Sequence, residues 1–145
     1  MKALIDSDVL VAMLDGTEVQ SRESTIVIQA AVRGKYTGFV TPLIAANVMY
    51  ILRRKWRTTR PGTWRSDIDK VMLEMLSTLG MIPVGRPDFI DSLTSSFSDK
   101  EDGVQYFAAM RSRQIDIIIT CNTKDFVMKG LEAMEPATFL RKHLP

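Results

Sequence analysis

Four short runs rich in apolar or β-forming residues, "KALID" (2–6), "YTGFV" (36–40), "MIPV" (81–84) and "IDIIIT" (115–120), alternate with segments whose apolar residues recur at helical spacing. No other feature restricts the fold as much. Strands joined through helices run parallel, and a parallel sheet buries its apolar surface only when helices cover both faces. The chain therefore reads as α/β, with a weaker strand near Ala133–Met134. In such sheets the loops at the carboxyl ends of the strands gather on one edge, and ligands bind there.

The intervening segments carry their own start and stop signals. "SDVLVAML" follows the first strand and stops near Asp15–Gly16, where glycine can close a helix. A second helix spans about Ser21 to Arg33 and breaks at Gly34. Thr41–Pro42 opens a third, running to about Arg57, because threonine can cap free amides and proline at the first position loses no hydrogen bond. After Pro61 and Gly62, "SDIDKVMLEMLSTL" (66–79) repeats apolar residues every three or four positions. Another helix is expected over about 87–96. Ser98 with Glu101 makes a capping-box pattern for a helix over 99–113, and a terminal helix starts at Pro136. With 145 residues and no repeat, linker or low-complexity stretch, residues 1–145 read as one domain.

Composition removes several classes of function. No stretch approaches the roughly 20 apolar residues of a membrane span, and a single cysteine permits no internal disulfide, so a cytoplasmic protein with no membrane partner is expected. Cys121 reads as core filler beside a strand end. Its only possible histidine partner is His143, near the carboxyl end, and the same shortage argues against serine-type catalysis. There is no cysteine or histidine cluster and no glycine-rich phosphate or dinucleotide motif.

What remains is a scatter of acids. "IIITCNTKDF" (117–126) ends the most apolar run on Thr120, Asn122 and Asp125, while Asp6 ends the first strand more than a hundred residues earlier. Asp102 falls in the first turn of its helix, one turn before Gln105 and Tyr106; Asp99 and Glu101 beside it also suit a helix start. Asn47 lies on or beside the apolar stripe of Leu43, Ile44, Val48 and Ile51, where it either ties down a loop or lines a cleft. Carboxylates gathered on one sheet edge repel one another, and a hard cation relieves the repulsion. Mg²⁺ or Mn²⁺ suits a few carboxylates plus water, can activate water, and neutralises charge on a scissile phosphate.

Net charge is only +2, yet residues 53–65, "RRKWRTTRPGTWR", hold six of the 19 basic residues and no acid. Arg53, Arg54, Lys55, Arg57, Arg60 and Arg65 form either a solvated helix end and loop or a contact for an RNA backbone, with Trp56 or Trp64 available for base stacking or a partner interface.

"LIDSDVLVAML", "FVTPLIAANVMYILRR", "DKEDGVQYFAAM" and "IDIIITCNTKDF", in this order and spacing, together with the closing "MEPATFLRKHL", resemble the PIN-domain family, particularly its small bacterial members similar to VapC-type toxins. The resemblance spans nearly the whole chain. It implies a three-layer α/β/α sandwich on a five-stranded parallel sheet, a Mg²⁺- or Mn²⁺-dependent ribonuclease site, a homodimer, and a cognate antitoxin. By position, Asp6, Asp102 and Asp125 match the family's acids, Asp8 a polar position supporting the loop, and Thr120 with Asn122 the polar pair before the last acid. Asn47 departs from the glutamate usual there; an amide can coordinate through its oxygen but adds no charge. Asp99 lies three residues before Asp102 and can compensate. Two other readings follow: a PIN-like binding module that has lost its chemistry, and a phosphoacceptor receiver domain. The second needs an aspartate closing the third strand, and "MIPVGRP" has none before Asp88.

Overall fold

In the computed structural model, which describes residues 1–17, 19–126 and 128–145, the strands are β1 (Lys2–Ile5), β2 (Thr37–Val40), β3 (Gly80–Met81), β4 (Ile117–Ile119) and β5 (Glu132–Met134). The helices are α1 (Ser7–Asp15), α2 (Ser21–Val32), α3 (Pro42–Thr59), α4 (Trp64–Thr78), α5 (Arg86–Leu93), α6 (Lys100–Ser112) and α7 (Pro136–His143). All strand pairs are parallel, in the order β3-β2-β1-β4-β5, within a three-layer α/β/α arrangement. Leu4 sits in register with Phe39 on one side and Ile118 on the other.

That order explains the apolar run that ends at Thr120. β1 and β4 lie inside the sheet and are covered on both faces, so Ala3, Leu4, Ile5, Ile118 and Ile119 are all at most 1% exposed. From β1 the chain moves first to β2, and only later returns to place β4 on the other side. The two connections leave in opposite directions, which opens a crevice beyond the carboxyl ends of β1 and β4. Asp6 follows β1 there and Thr120 follows β4; the Asp6 amide donates to the Ile119 carbonyl at 3.0 Å.

Local chemistry sets the helix ends. The Asp6 carboxylate accepts from the Ser7 amide at 2.7 Å and caps α1, and Gly16 closes it in the left-handed region at φ 73°. Thr41 Oγ1 accepts from the Ile44 amide at 3.1 Å, with Pro42 as the first residue of α3. Helices α5 and α6 approach closely at Gly103: a β-carbon there would stand 3.1 Å from Ser92 Cβ and 3.2 Å from Phe97 Cβ, and closer still to the Ser92 hydroxyl.

Three boundaries differ from the sequence expectation. The third strand is Gly80–Met81 rather than 81–84: Ile82 still donates to the Val40 carbonyl at 2.9 Å, but Pro83 has no amide hydrogen to continue the ladder. The helix expected over 87–96 ends at Leu93, where the Thr94 hydroxyl bonds back to the Ile90 carbonyl at 2.8 Å. The cap of α6 is Asp99 rather than Ser98. Asp99 Oδ1 accepts from the Glu101 and Asp102 amides at 3.0 and 3.2 Å, which leaves Ser98 outside the helix.

Candidate metal centre

The crevice beyond β1 and β4 is a cleft of about 530 Å³. Asp6, Asp8, Asn47, Asp99, Asp102 and Asp125 all line it, so the fold brings together acids scattered across 120 positions. Within the cleft, Asp99, Asp102 and Asp125 can each present an oxygen within 4.8 Å of the other two. Asp6 lines the same cleft and its charge acts on Asp102, while Asp99 stands in the tight trio beside Asp102 and Asp125. The reason is geometric: Asp99 caps α6 through one oxygen, which holds its carboxylate at the helix mouth beside Asp102.

Asp6 is held differently. Its Oδ2 accepts from the buried Thr120 hydroxyl at 2.9 Å, and the same hydroxyl lies 3.2 Å from Asp8 Oδ2. One proton thus serves two carboxylates. Asp8 also accepts from the Cys121 amide at 3.0 Å, and Thr120 Oγ1 accepts from the Asn122 amide at 3.1 Å, so α1 and the loop after β4 are tied together. Asn122 Nδ2 donates to Asp125 Oδ2, holding the 3₁₀ turn Thr123–Asp125 toward the cleft. Asn47 is half-buried and its Nδ2 donates to Ser7 Oγ at 2.9 Å, while among the described residues its carbonyl oxygen accepts no hydrogen bond. The site gathers an amide at this position, not a charge.

Burial, and next the charge of Asp8, lift the Asp6 carboxyl to about 7 in spite of the bonds from Thr120 and Ser7. Burial also raises Asp8. Asp102 is pushed up to about 8, by burial first and then by the charges of Asp6, Asp99, Asp125 and Asp8. Among the described residues the Asp102 side chain accepts no hydrogen bond that would offset this repulsion. A divalent cation would supply what is missing, and three carboxylates with an adjacent amide form a hard oxygen donor set that fits such an ion better than a thiophilic metal. Cys121, raised to about 12 by burial and by Asp8, stays a thiol.

The basic stretch divides. Trp56 is 2% exposed, so it belongs to the core beneath Arg60, whose guanidinium lies 3.9 Å from the ring centroid; the expectation that Trp56 could stack on a base is corrected. Apolar spacing with Val48 and Leu52 is the signal that places Trp56 inward. Lys55 lines the acidic cleft and pairs with Asp15 at 3.2 Å. Arg60 also reaches Asp67 at 3.4 Å. Arg53, Arg54, Arg57 and Arg65 are exposed, and Arg65 lies over the half-buried Trp64 ring. Arg53, Trp64 and Arg65 share a groove between α3 and α4 that Asp69 also lines, apart from the acidic cleft. Ser7 and Lys55 are cleft residues that sequence reasoning did not place there; Ser7 could be found from its position after the capping aspartate, whereas the inward turn of Lys55 leaves no local signal.

A family model described as PIN domain matches residues 2–124. The chain belongs to the PIN-domain family. No curated protein matches significantly. Among solved structures, Mycobacterium tuberculosis VapC20, described as a sarcin-ricin loop cleaving toxin, superposes with a TM-score of 0.59 at 11% identity, covering 80% of this chain and 86% of its own. VapBC2 from Rickettsia felis, bound to a DNA fragment from its promoter, superposes with a TM-score of 0.62 at 13% identity, covering 93% of this chain and 98% of the matched one. At such identities the likeness is one of fold. Strand β5 and helix α7 lie beyond the residues that the family model matches.

Proposed function

We propose that this PIN domain is a divalent-metal-dependent endoribonuclease acting as the toxin of a toxin–antitoxin pair. The observation that carries the proposal is the trio Asp99, Asp102 and Asp125, converging to within 4.8 Å in a cleft where, among the described residues, Asp102 accepts no compensating hydrogen bond. Asp99, Asp102 and Asp125 would hold Mg²⁺ or Mn²⁺, with Asn47 Oδ1 and Asp6 beside them. When bound, the ion supplies a Lewis acid for the scissile phosphate and lowers the pKa of a coordinated water. Burial holds the Asp6 carboxyl near 7 in the metal-free protein, an adjacent cation would keep it ionised, and Thr120 fixes which way its Oδ2 points. Asn122 keeps Asp125 turned into the cleft, and Asp8 anchors the loop that carries them.

RNA as substrate, a cognate antitoxin, a homodimer and a cytoplasmic location are part of the same proposal, supported by family membership and by the toxins of like fold. No helix among the described residues is long and apolar enough to cross a membrane. The exposed Arg53, Arg54, Arg57 and Arg65 supply a cationic face on α3 and α4 outside the acidic cleft, where a polyanion would otherwise be repelled. Trp64 is the stacking or interface residue of that face.

The engagement of Asn47 by Ser7 favours a second reading, a PIN-like module that has kept the fold and lost the chemistry. The deciding experiment incubates the purified protein, freed of partner, with cellular RNA with and without Mn²⁺, beside the Asp102→Asn and Asp6→Asn variants. Cleavage by the wild type alone, and only with metal, is expected. Equal cleavage by both variants would overturn the site, and failure of Mn²⁺ to bind in calorimetry would favour the inert module.

A further inference from the structure

A second cavity, of about 440 Å³, adjoins the acidic cleft and shares Asp6, Ser7, Asn47, Glu101 and Asp102 with it. Its character is different. Leu43 and Ile44 of α3, Phe89 and Leu93 of α5, and Val104 of α6 make apolar walls. Phe89 is 43% and Leu93 65% exposed, more than packing of α5 against α6 requires of large apolar side chains. A flat, mostly uncharged group is accommodated here, while an anion would meet the shared acids.

One polar group inside is already oriented. Gln105, only 6% exposed, accepts from the Thr41 hydroxyl through Oε1 at 2.5 Å, and Thr41 Oγ1 itself accepts from the Ile44 amide. The bond fixes the amide and leaves Nε2 as a donor. Nε2 has no partner among the described residues, yet Ser24 Oγ is the one buried side-chain polar atom left unsatisfied among them, so Nε2 must reach open space, and the space Gln105 lines is this cavity. Lys100 lines it as well, its Nζ steadied by the Ser95 carbonyl at 3.0 Å.

From these placements we infer that the cavity is a nucleobase subsite: it holds the base next to the scissile phosphate of single-stranded RNA and so sets cleavage preference. Apolar and aromatic walls take the faces of an unstacked base, Gln105 Nε2 donates to an acceptor on its edge, and Lys100 meets the neighbouring phosphate. Because Gln105 offers a donor only, bases with a carbonyl where adenine and cytosine carry an amino group, uracil through O4 or guanine through O6, are favoured. The inference rests on the nuclease reading, since a divalent cation held at the acidic cleft is what would place a phosphate at the rim.

The test maps cut sites on a pool of short single-stranded RNAs with Mn²⁺ for the wild type, Phe89→Ala, Leu93→Ala and Gln105→Leu, and records amide NMR shifts on adding uridine or guanosine 5′-monophosphate. The wild type is expected to prefer one class of flanking base by about tenfold or more, falling to about twofold in the Phe89 and Leu93 variants. Both residues are exposed, so those variants should fold even if Gln105→Leu does not. Cleavage with no flanking preference, or a preference unchanged in both variants, would overturn the subsite while leaving the nuclease intact. If the wild type cuts no RNA the nuclease reading fails, and the shifts then decide alone: nucleotide-induced shifts at Phe89, Leu93 and Gln105 support the pocket, and their absence overturns it.

Discussion

Replacing Asp102 by asparagine should stabilise the metal-free protein. The Asp102 carboxyl stands near 8 against an ordinary 3.8, a difference of about four. At about 1.4 kcal/mol for each, full burial would set a ceiling of about 6 kcal/mol. Asp102 is only half-buried, so solvent screening brings the expected effect to about 1–3 kcal/mol. The sign follows from proton binding. Between about pH 4 and pH 8 the unfolded chain has released this proton while the folded chain keeps it, so the stability of the wild type falls as pH rises through that window. An asparagine carries no such dependence. Its advantage should be absent near pH 4, grow up to about pH 8, and stay level above. For a chain of this size the gain corresponds to about 3–8 °C in Tm. Differential scanning fluorimetry in EDTA measures it directly, and adding Mn²⁺ should reverse the order, because an ion bound only by the folded wild type stabilises that form. A lower Tm for Asp102→Asn in EDTA at pH 8, or a difference independent of pH, would refute the claim that unrelieved repulsion defines this cleft.

Other expected outcomes probe separate features. Asn47→Glu should tighten Mn²⁺ binding by about tenfold in titration calorimetry, since it adds a charge where the site has an amide; unchanged affinity would place residue 47 outside the ion's reach. Gly103→Ala should lower stability by about 1–3 kcal/mol in urea denaturation, because the new carbon meets Ser92 and Phe97 where α5 and α6 touch; a neutral result would show that the two helices can separate freely. Neutralising Arg53, Arg54 and Arg57 together should weaken RNA binding and flatten its salt dependence by up to about three in log–log slope; an unaltered slope would leave those side chains merely solvated.

Much of this architecture is legible from local pattern. The isoleucines of β4 could only be a buried strand, and Thr41–Pro42 specifies the start of α3 through chemistry that acts within four residues. Asp6, Asp102 and Asp125 could be expected to approach one another because the topology sends the ends of β1 and β4 to a common crevice. Finer placement depends on tertiary geometry. Asp99 stands in the trio because it caps α6, and Ser98 satisfied the capping pattern equally well on paper. Trp56 looked available for RNA because its neighbours are arginines, while the four-residue spacing back to Leu52 and Val48 was the stronger signal. The cavity around Gln105 has no local signature, since its walls come from α3, α5 and α6.

The double duty of Asp6 has an evolutionary consequence. The same carboxylate that lines the acidic cleft also begins α1 and receives the hydroxyl of Thr120, so a lineage abandoning nuclease activity could not discard it for alanine without loosening the joint between the first strand and the first helix. Descendants drifting toward inactivity would be expected to shed acids at the mouth of α6 or in the turn after β4 before touching position 6. The persistence of an aspartate there is therefore poor testimony that a relative still cuts.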